Sequence, residues 1–141
     1  MRLFVISIFC LLMFGCATEK ASEIGFDHKA VLKEMKVESL VEGSGPEAEM
    51  GDRLDVRYVG KFENGKVFDD SNKRGHDFSF HLGKREVIPA WDAGLVGMKK
   101  GGKRRLTVPP KLAYGARGVS GVIPPNSVLI FEVEVVKITQ D

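Results

Sequence analysis

Along much of the chain, apolar residues alternate with polar ones, which is the period of a β-strand with one buried face. The clearest case is residues 54–62, where Leu54, Val56 and Tyr58 alternate with mostly charged neighbours. Similar alternation, or a run of β-branched residues, predicts further strands near residues 35–41, 78–82, 105–108 and 128–138. We therefore expect a sheet of several antiparallel strands.

A hairpin and one helix complete this pattern. Asn64–Gly65 between two apolar residues predicts a hairpin with a type I′ turn, which needs positive φ at both central positions. Residues 89–96 are the segment with a helical pattern, because Pro89 suits a first helical turn and Gly97 suits a C-cap. The prediction is an α+β domain at residues 35–141, in which the sheet wraps around one short α-helix.

The N-terminus follows a different pattern. Residues 3–14 are almost entirely apolar after a positive start, but this run is shorter than the about 20 residues that span a bilayer as a helix. The run matches the apolar region of a secretory signal peptide. Gly15–Cys16 then resembles a bacterial lipobox, which implies a signal peptide at residues 1–15 and lipidation of Cys16. Ordinary cleavage after Ala17 is the competing interpretation.

Residues 16–34 are rich in charge and poor in large apolar side chains. We interpret them as an acylated cysteine followed by a flexible tether, with a little helix around residues 30–33. The expected location is the bacterial cell envelope, with a lipid anchor in the outer membrane and the domain facing the periplasm. A soluble periplasmic protein is the alternative.

Charge and motif content narrow the chemistry. The chain has 21 Lys and Arg against 19 Asp and Glu, and this balance does not indicate a nucleic-acid partner. His28, His76 and His81 are scattered without metal-ligand spacing, and phosphate-binding, dinucleotide-binding and serine-nucleophile motifs are absent from the sequence. If the protein is an enzyme, we expect its reaction to need no strong nucleophile, metal or cofactor.

Residues 113–127 form the most informative segment. Gly115, Gly118 and Gly121 alternate with apolar residues, and Pro124–Pro125 closes the segment. This composition predicts a shaped loop that carries apolar side chains beside Tyr114, as at the rim of a pocket. The aromatic residues elsewhere could be ordinary core, which is the usual interpretation of such a set.

Three motifs are more specific than any of these patterns. VRYVGKFENGKVFDDS (56–71), FSFHLGKREVIPAWDAGLVGM (78–98) and AYGARGVSGVIPPNSVLIFEVEV (113–135) resemble the FKBP-type peptidyl-prolyl cis–trans isomerases. The resemblance extends over about residues 37–138. It implies a half-open antiparallel sheet around a short helix, with a proline-binding pocket between them.

The resemblance also implies which residues form this pocket. Catalytic positions are expected at Tyr58, Phe68, Asp69, Tyr114 and Phe131, and substrate-binding positions at Phe78, Val87, Ile88, Trp91, Val122 and Ile123. Trp91 would form the floor, and the Ile88 N–H and Tyr114 hydroxyl would donate to carbonyls flanking the proline. Asp69 would be a polar group on the wall, linked to Tyr58 or to a ligand.

The partners implied are proline-containing polypeptides among exported proteins, with macrolides as inhibitors and the membrane as the site of a lipid anchor. We expect a monomer, because no long helical dimerisation arm precedes the domain. A tethered chaperone or adaptor of the same fold, with weak catalysis, is the second hypothesis. The sequence departs from many relatives at Pro89–Ala90 and at Val119, which affects the entry of the helix and partner preference.

Overall fold

Six antiparallel strands form the framework of the protein in a computed structural model, which describes residues 27–140. Their bounds are β1 Lys36–Val41, β2 Arg53–Phe62, β3 Val67–Asp70, β4 Phe78–His81, β5 Lys103–Val108 and β6 Leu129–Thr139. The strands lie in the order β1-β5-β6-β2-β3, and β3 and β4 pair with opposite ends of the same edge of β2. Short 3₁₀ helices occupy Ser71–Arg74 and Pro110–Leu112.

The two longest strands, β2 and β6, pair at the centre of the sheet and build most of the core. Leu54, Val56 and Tyr58 of β2 are buried on one face while their neighbours are exposed or half-buried, so the predicted alternation is confirmed. On β6, Phe131 and Val133 continue the same buried face. This burial holds the central pair in one register, because a one-residue slip would expose every one of these side chains.

A short helix, α2 (Pro89–Gly94), lies against the buried face of the sheet, and its residues Ala90 to Gly94 are all buried. Pro89 occupies its first turn, as predicted, while the helix ends two residues before the predicted Val96. Gly97 adopts φ 82° just beyond it, a left-handed conformation that favours glycine. The α+β fold class, a sheet that wraps a short helix without closing, is confirmed.

A second helix, α1 (His28–Glu34), contains the short helix predicted around residues 30–33 and is longer than that prediction. Asp27 caps it, accepting hydrogen bonds from the Lys29 and Ala30 N–H groups at 3.0 and 3.2 Å. Val31 is buried in the core cluster, and His28 Nε2 lies 3.1 Å from the carbonyl oxygen of Asp92 in α2. The ordered domain therefore begins before residue 35, because α1 has an apolar side that packs on α2.

The rest of the predicted N-terminal organisation, which comprises the signal peptide at residues 1–15, Cys16 and the tether up to residue 26, lies outside the described residues. Within the described part of the chain, neither helix has the length and apolar content needed to cross a membrane.

The β2–β3 hairpin forms at the predicted place but with a different turn. Gly65 alone of the Asn64–Gly65 pair has positive φ, at 85°, and its N–H donates to the Phe62 carbonyl at 2.9 Å. The prediction of a type I′ turn is therefore wrong. The Asn64 side chain accepts from the Lys66 N–H at 2.9 Å, a local bond that stabilises the observed turn.

Candidate active site

An aromatic cavity of about 140 Å³ opens on the concave side of the sheet, above α2. Its lining combines side chains from four strands, from α2 and from two loops. The lining residues are Tyr58, Phe68, Asp69, Phe78, Glu86, Val87, Ile88, Trp91, Tyr114 and Phe131. Nine of these ten residues, all except Glu86, are site residues predicted from the sequence.

Trp91 lies among the rings of the cavity and is only 4% exposed. Its ring centroid lies 4.9 Å from Tyr58 and 5.5 Å from Phe131, with edge-to-face angles of 81° and 88°. Such edge-to-face contacts each contribute about 0.5–1.5 kcal/mol beyond the burial of the rings. The indole Nε1 has no hydrogen-bond partner among the described residues. Among the described residues, the indole is therefore held by its contacts with the surrounding rings and not by a hydrogen bond.

The aromatic side chains of the cavity walls make further edge-to-face contacts with one another. Tyr58 meets Phe78 at 5.9 Å, and Phe68 meets Phe131 at 5.7 Å. Gly60 makes the second contact sterically feasible, because a Cβ there would lie 2.6 Å from Cζ of Phe68 and 3.1 Å from Cε1 of Phe131. The absence of a side chain at this position on β2 therefore lets the Phe68 ring approach the strand closely.

Asp69 is the polar centre of one wall. The Tyr58 hydroxyl donates to its Oδ2 at 2.6 Å, and the Arg74 guanidinium donates to its Oδ1 at 2.6 Å. Burial, and then the bond to Asp69, raises the pKa of Tyr58 to about 12. The predicted link between Asp69 and Tyr58 is present in the structure, and the phenol is a neutral donor at physiological pH.

Arg74 was missed by sequence reasoning. It comes from the 3₁₀ helix after β3, and its guanidinium carbon lies 5.9 Å from the Tyr58 ring centroid as well as pairing with Asp69. A lone arginine in a polar loop gives no periodic signal, and only the approach of this loop to β2 places it at the site.

The segment between β4 and α2 forms the opposite wall and is held by a buried carboxylate. Asp92 of α2 is 1% exposed, and it accepts from the N–H groups of Gly83 at 2.8 Å and Arg85 at 3.1 Å. Burial is the main cause that raises the pKa of Asp92. At the end of this segment, the Ile88 N–H takes no part in the hydrogen bonds among the described residues, although the Ile88 carbonyl accepts from the first turn of α2. The Ile88 N–H is therefore available to a ligand.

The loop at residues 113–127 contributes one of its three predicted residues. Tyr114 lines the cavity, and burial followed by the charge of Asp69 raises the pKa of its hydroxyl. Val122 and Ile123 are not among the lining residues, contrary to their predicted place in the pocket. The loop folds back on itself between Val119 and Ile123, and this turn buries Ile123 in the core (6% exposed) while Val122 points to solvent (50% exposed).

Groups of three or more side chains that could hold a metal ion do not occur within residues 27–140. His81, at the end of β4, is half-buried and has Glu86 as a neighbour, with Nδ1 3.0 Å from Oε1. Glu86 itself was missed as a lining residue, since a glutamate in a polar connection is usually a solvated surface group.

Fold and site together define an α+β domain whose sheet wraps a short helix and whose concave side carries an aromatic pocket for a small, largely apolar group. The model of the FKBP-type peptidyl-prolyl cis–trans isomerase family matches residues 45–136. The chain therefore belongs to this family.

Individual relatives agree with this assignment. The chain is 54% identical over 108 residues to FK506-binding protein 4 of Neurospora crassa, which covers 77% of this chain and 23% of that protein. It is 51% identical to FK506-binding protein 4 of Dictyostelium discoideum, covering 75% of this chain and 29% of the relative. The chain thus spans about a quarter of the length of these curated relatives. Among solved structures, AtFKBP13 superposes with a TM-score of 0.72 at 43% identity, over 77% of this chain and 96% of that one.

Proposed function

We propose that this chain accelerates the cis–trans isomerisation of X–Pro peptide bonds by non-covalent binding of the proline. The observation that carries this proposal is the cavity around Trp91, whose lining is mainly aromatic and aliphatic with a few polar groups, as in pockets that bind small apolar groups. Membership of the isomerase family supports it. The catalytic roles of the individual lining residues stay predictions.

The mechanism follows from the physics of the amide. Rotation about a peptide bond costs about 18–20 kcal/mol because the twisted state loses resonance. The planar amide has more charge separation than the twisted one, so an apolar cavity destabilises the planar form relative to the transition state. A 10⁵-fold acceleration would require roughly 7 kcal/mol of such differential stabilisation.

Polar groups at the edge of the cavity would add to this preference. The available Ile88 N–H and the neutral Tyr114 hydroxyl are donors for backbone carbonyls on either side of the proline. The first donor belongs to the main chain and the second to a stiff aromatic side chain, so both would require little reorganisation on binding. Asp69 would act through Tyr58, by holding its ring and hydroxyl in the wall.

The direct test measures cis–trans exchange of a short X–Pro peptide by NMR exchange spectroscopy with the purified chain. Phe131→Leu and Ile130→Ala form a matched pair, because these neighbours on β6 lie on opposite faces of the sheet. We expect acceleration by the wild type, a loss of at least tenfold in Phe131→Leu, and near-wild-type rates in Ile130→Ala. Absence of acceleration by the well-folded wild type would overturn the proposal.

The names of the relatives suggest a ligand class for the same pocket. Several are FK506-binding proteins, so we propose that macrolides of this kind compete with the proline peptide. Titration of the exchange assay with FK506 tests this, and exchange rates that stay constant at saturating FK506 would contradict it.

The anchor at Cys16, with the cell envelope as location and exported proteins as substrates, is a further proposal whose support is the N-terminal sequence alone. Expression of the full chain in a bacterial host, with fractionation and mass spectrometry of the N-terminus, tests it. The wild type is expected in the membrane fraction, and Cys16→Ala in the soluble or unprocessed fraction. Equal partitioning of the two would contradict the anchor.

A further inference from the structure

The two carboxylates that line the cavity are compensated differently. Asp69 lies between the Tyr58 hydroxyl and the Arg74 guanidinium, so a permanent cation neutralises its charge. Among the described residues Glu86 forms no ion pair with a lysine or an arginine, and its ion-pair partner is His81. The negative charge at the edge of the cavity is therefore concentrated at Glu86.

This carboxylate is held in place while it faces solvent. The His81 N–H donates to Glu86 Oε2 at 2.8 Å, and His81 Nδ1 lies 3.0 Å from Oε1. The main-chain bond is the largest cause that lowers the pKa of Glu86, so the group is ionised at neutral pH. With the side chain 44% exposed, a ligand can approach it without displacing other parts of the protein.

Glu86 also lies near the expected path of the bound chain. It precedes Ile88 by two residues, and both line the cavity. Two residues of extended chain advance by roughly 7 Å at most. If a substrate carbonyl accepts from the Ile88 N–H, a long side chain next to that carbonyl would lie within reach of the Glu86 carboxylate.

We infer that Glu86 is a specificity-determining residue, which favours substrates with Lys or Arg adjacent to the proline over those with Asp or Glu. This inference rests on the proposed isomerase function. Because exposed ion pairs contribute little in water, we expect rate differences of about two- to fivefold between a basic and a neutral residue. Added salt should reduce these differences by screening.

The test uses peptides that differ only next to the proline, with Lys, Gln or Glu at the preceding position in one series and the following position in another. The measured quantity is kcat/KM at low and at high ionic strength. In at least one series, the wild type should prefer Lys over Gln over Glu. Glu86→Gln should bring the Lys-to-Glu ratio close to one, and Glu86→Lys should invert it.

A matched control separates local from general electrostatics. Glu63→Lys makes the same change of charge in the exposed turn after β2, outside the cavity lining, and should retain the wild-type ratio. If wild type and Glu86→Lys have equal Lys-to-Glu ratios, the inference about Glu86 is overturned. If every peptide is nevertheless accelerated, the proposed isomerase function still holds. Acceleration of none would overturn both. A ratio that changes equally in Glu63→Lys would also overturn it, since net charge would then explain the preference.

Discussion

The Tyr58 hydroxyl donates a 2.6 Å hydrogen bond to Asp69, and this bond joins the aromatic wall of the cavity to a carboxylate–guanidinium pair. The ring of Tyr58 contacts Trp91, and its hydroxyl is fixed by a carboxylate that Arg74 fixes in turn. One side chain thus connects the apolar and the polar parts of the site.

Tyr58→Phe should weaken catalysis with little effect on the fold. It removes one hydrogen bond and keeps the ring, so stability should fall by about 0.5–1.5 kcal/mol. We expect kcat/KM to fall about three- to tenfold, because the wall loses its fixed orientation. Peptide exchange and urea denaturation measure the two effects. An unchanged kcat/KM would show that the bond to Asp69 has no part in the reaction.

The titration of Tyr58 can be observed directly, because the chain has only two tyrosines. In Tyr114→Phe, ultraviolet absorbance should report Tyr58 with a pKa of about 12, against an ordinary value of 10.0. Since the folded-state pKa is raised, the unfolded chain ionises first, and stability should decrease as pH rises from about 10 to about 12. Asp69→Asn in the same background should lower the midpoint. A midpoint near 10 in the folded protein would contradict the observed hydrogen bonding.

Gly60→Ala should displace the Phe68 ring from the cavity wall. The added methyl would lie 2.6 Å from Cζ of Phe68, and overpacking of this kind costs about 1–3 kcal/mol. Phe68→Leu removes the ring that clashes, so Gly60→Ala should cost less in that background. Chemical denaturation of the four proteins gives the coupling energy. Strict additivity would mean that the crowding is relieved elsewhere.

Trp91 should report binding, since it is the only tryptophan. A proline peptide that enters the cavity contacts its indole and removes water from it, so the emission should change and saturate. The same peptide with alanine in place of proline serves as the control. Identical titration curves for both peptides would place the proline elsewhere.

Asp92→Asn should loosen the wall formed by the segment between β4 and α2. An amide in that place presents N–H groups as well as an oxygen to the Gly83 and Arg85 N–H groups, so at least one bond is lost. We expect a loss of about 1–3 kcal/mol in stability and faster amide exchange at both positions. Asp77→Asn, a change at an exposed ion pair, should have a much smaller effect. Unchanged exchange at Gly83 and Arg85 would contradict the role of Asp92.

The sheet and most of the cavity could be predicted because their residues carry strong local signals. The alternation at Leu54, Val56 and Tyr58 predicts a buried face, and the motif around Trp91 predicts the short helix. Arg74 and Glu86 carry no such signal. Whether these two side chains reach the cavity depends on the path of the loops that carry them, and the local sequence pattern does not determine that path.

The errors have equally local causes. Val122 and Ile123 are both apolar, and composition alone does not reveal that the chain reverses between them. The charge of residues 28–34 favoured a tether with only a little helix, whereas the structure has a full helix there whose one buried side chain, Val31, joins the core. The dipeptide Asn64–Gly65 favoured a type I′ turn, but the observed hydrogen bonds stabilise a turn in which only Gly65 has positive φ.

The loop at residues 113–127 is largely closed by bonds among its own residues. The Val119 and Ile123 backbones bond each other, and the Asn126 N–H donates to the Gly115 carbonyl at 2.9 Å, which closes the base. These bonds and the buried Ile123 hold the loop, and residues 120–122 at its tip are exposed. Substitutions at residues 120–122 should therefore leave the aromatic cavity unchanged, because none of these residues lines it.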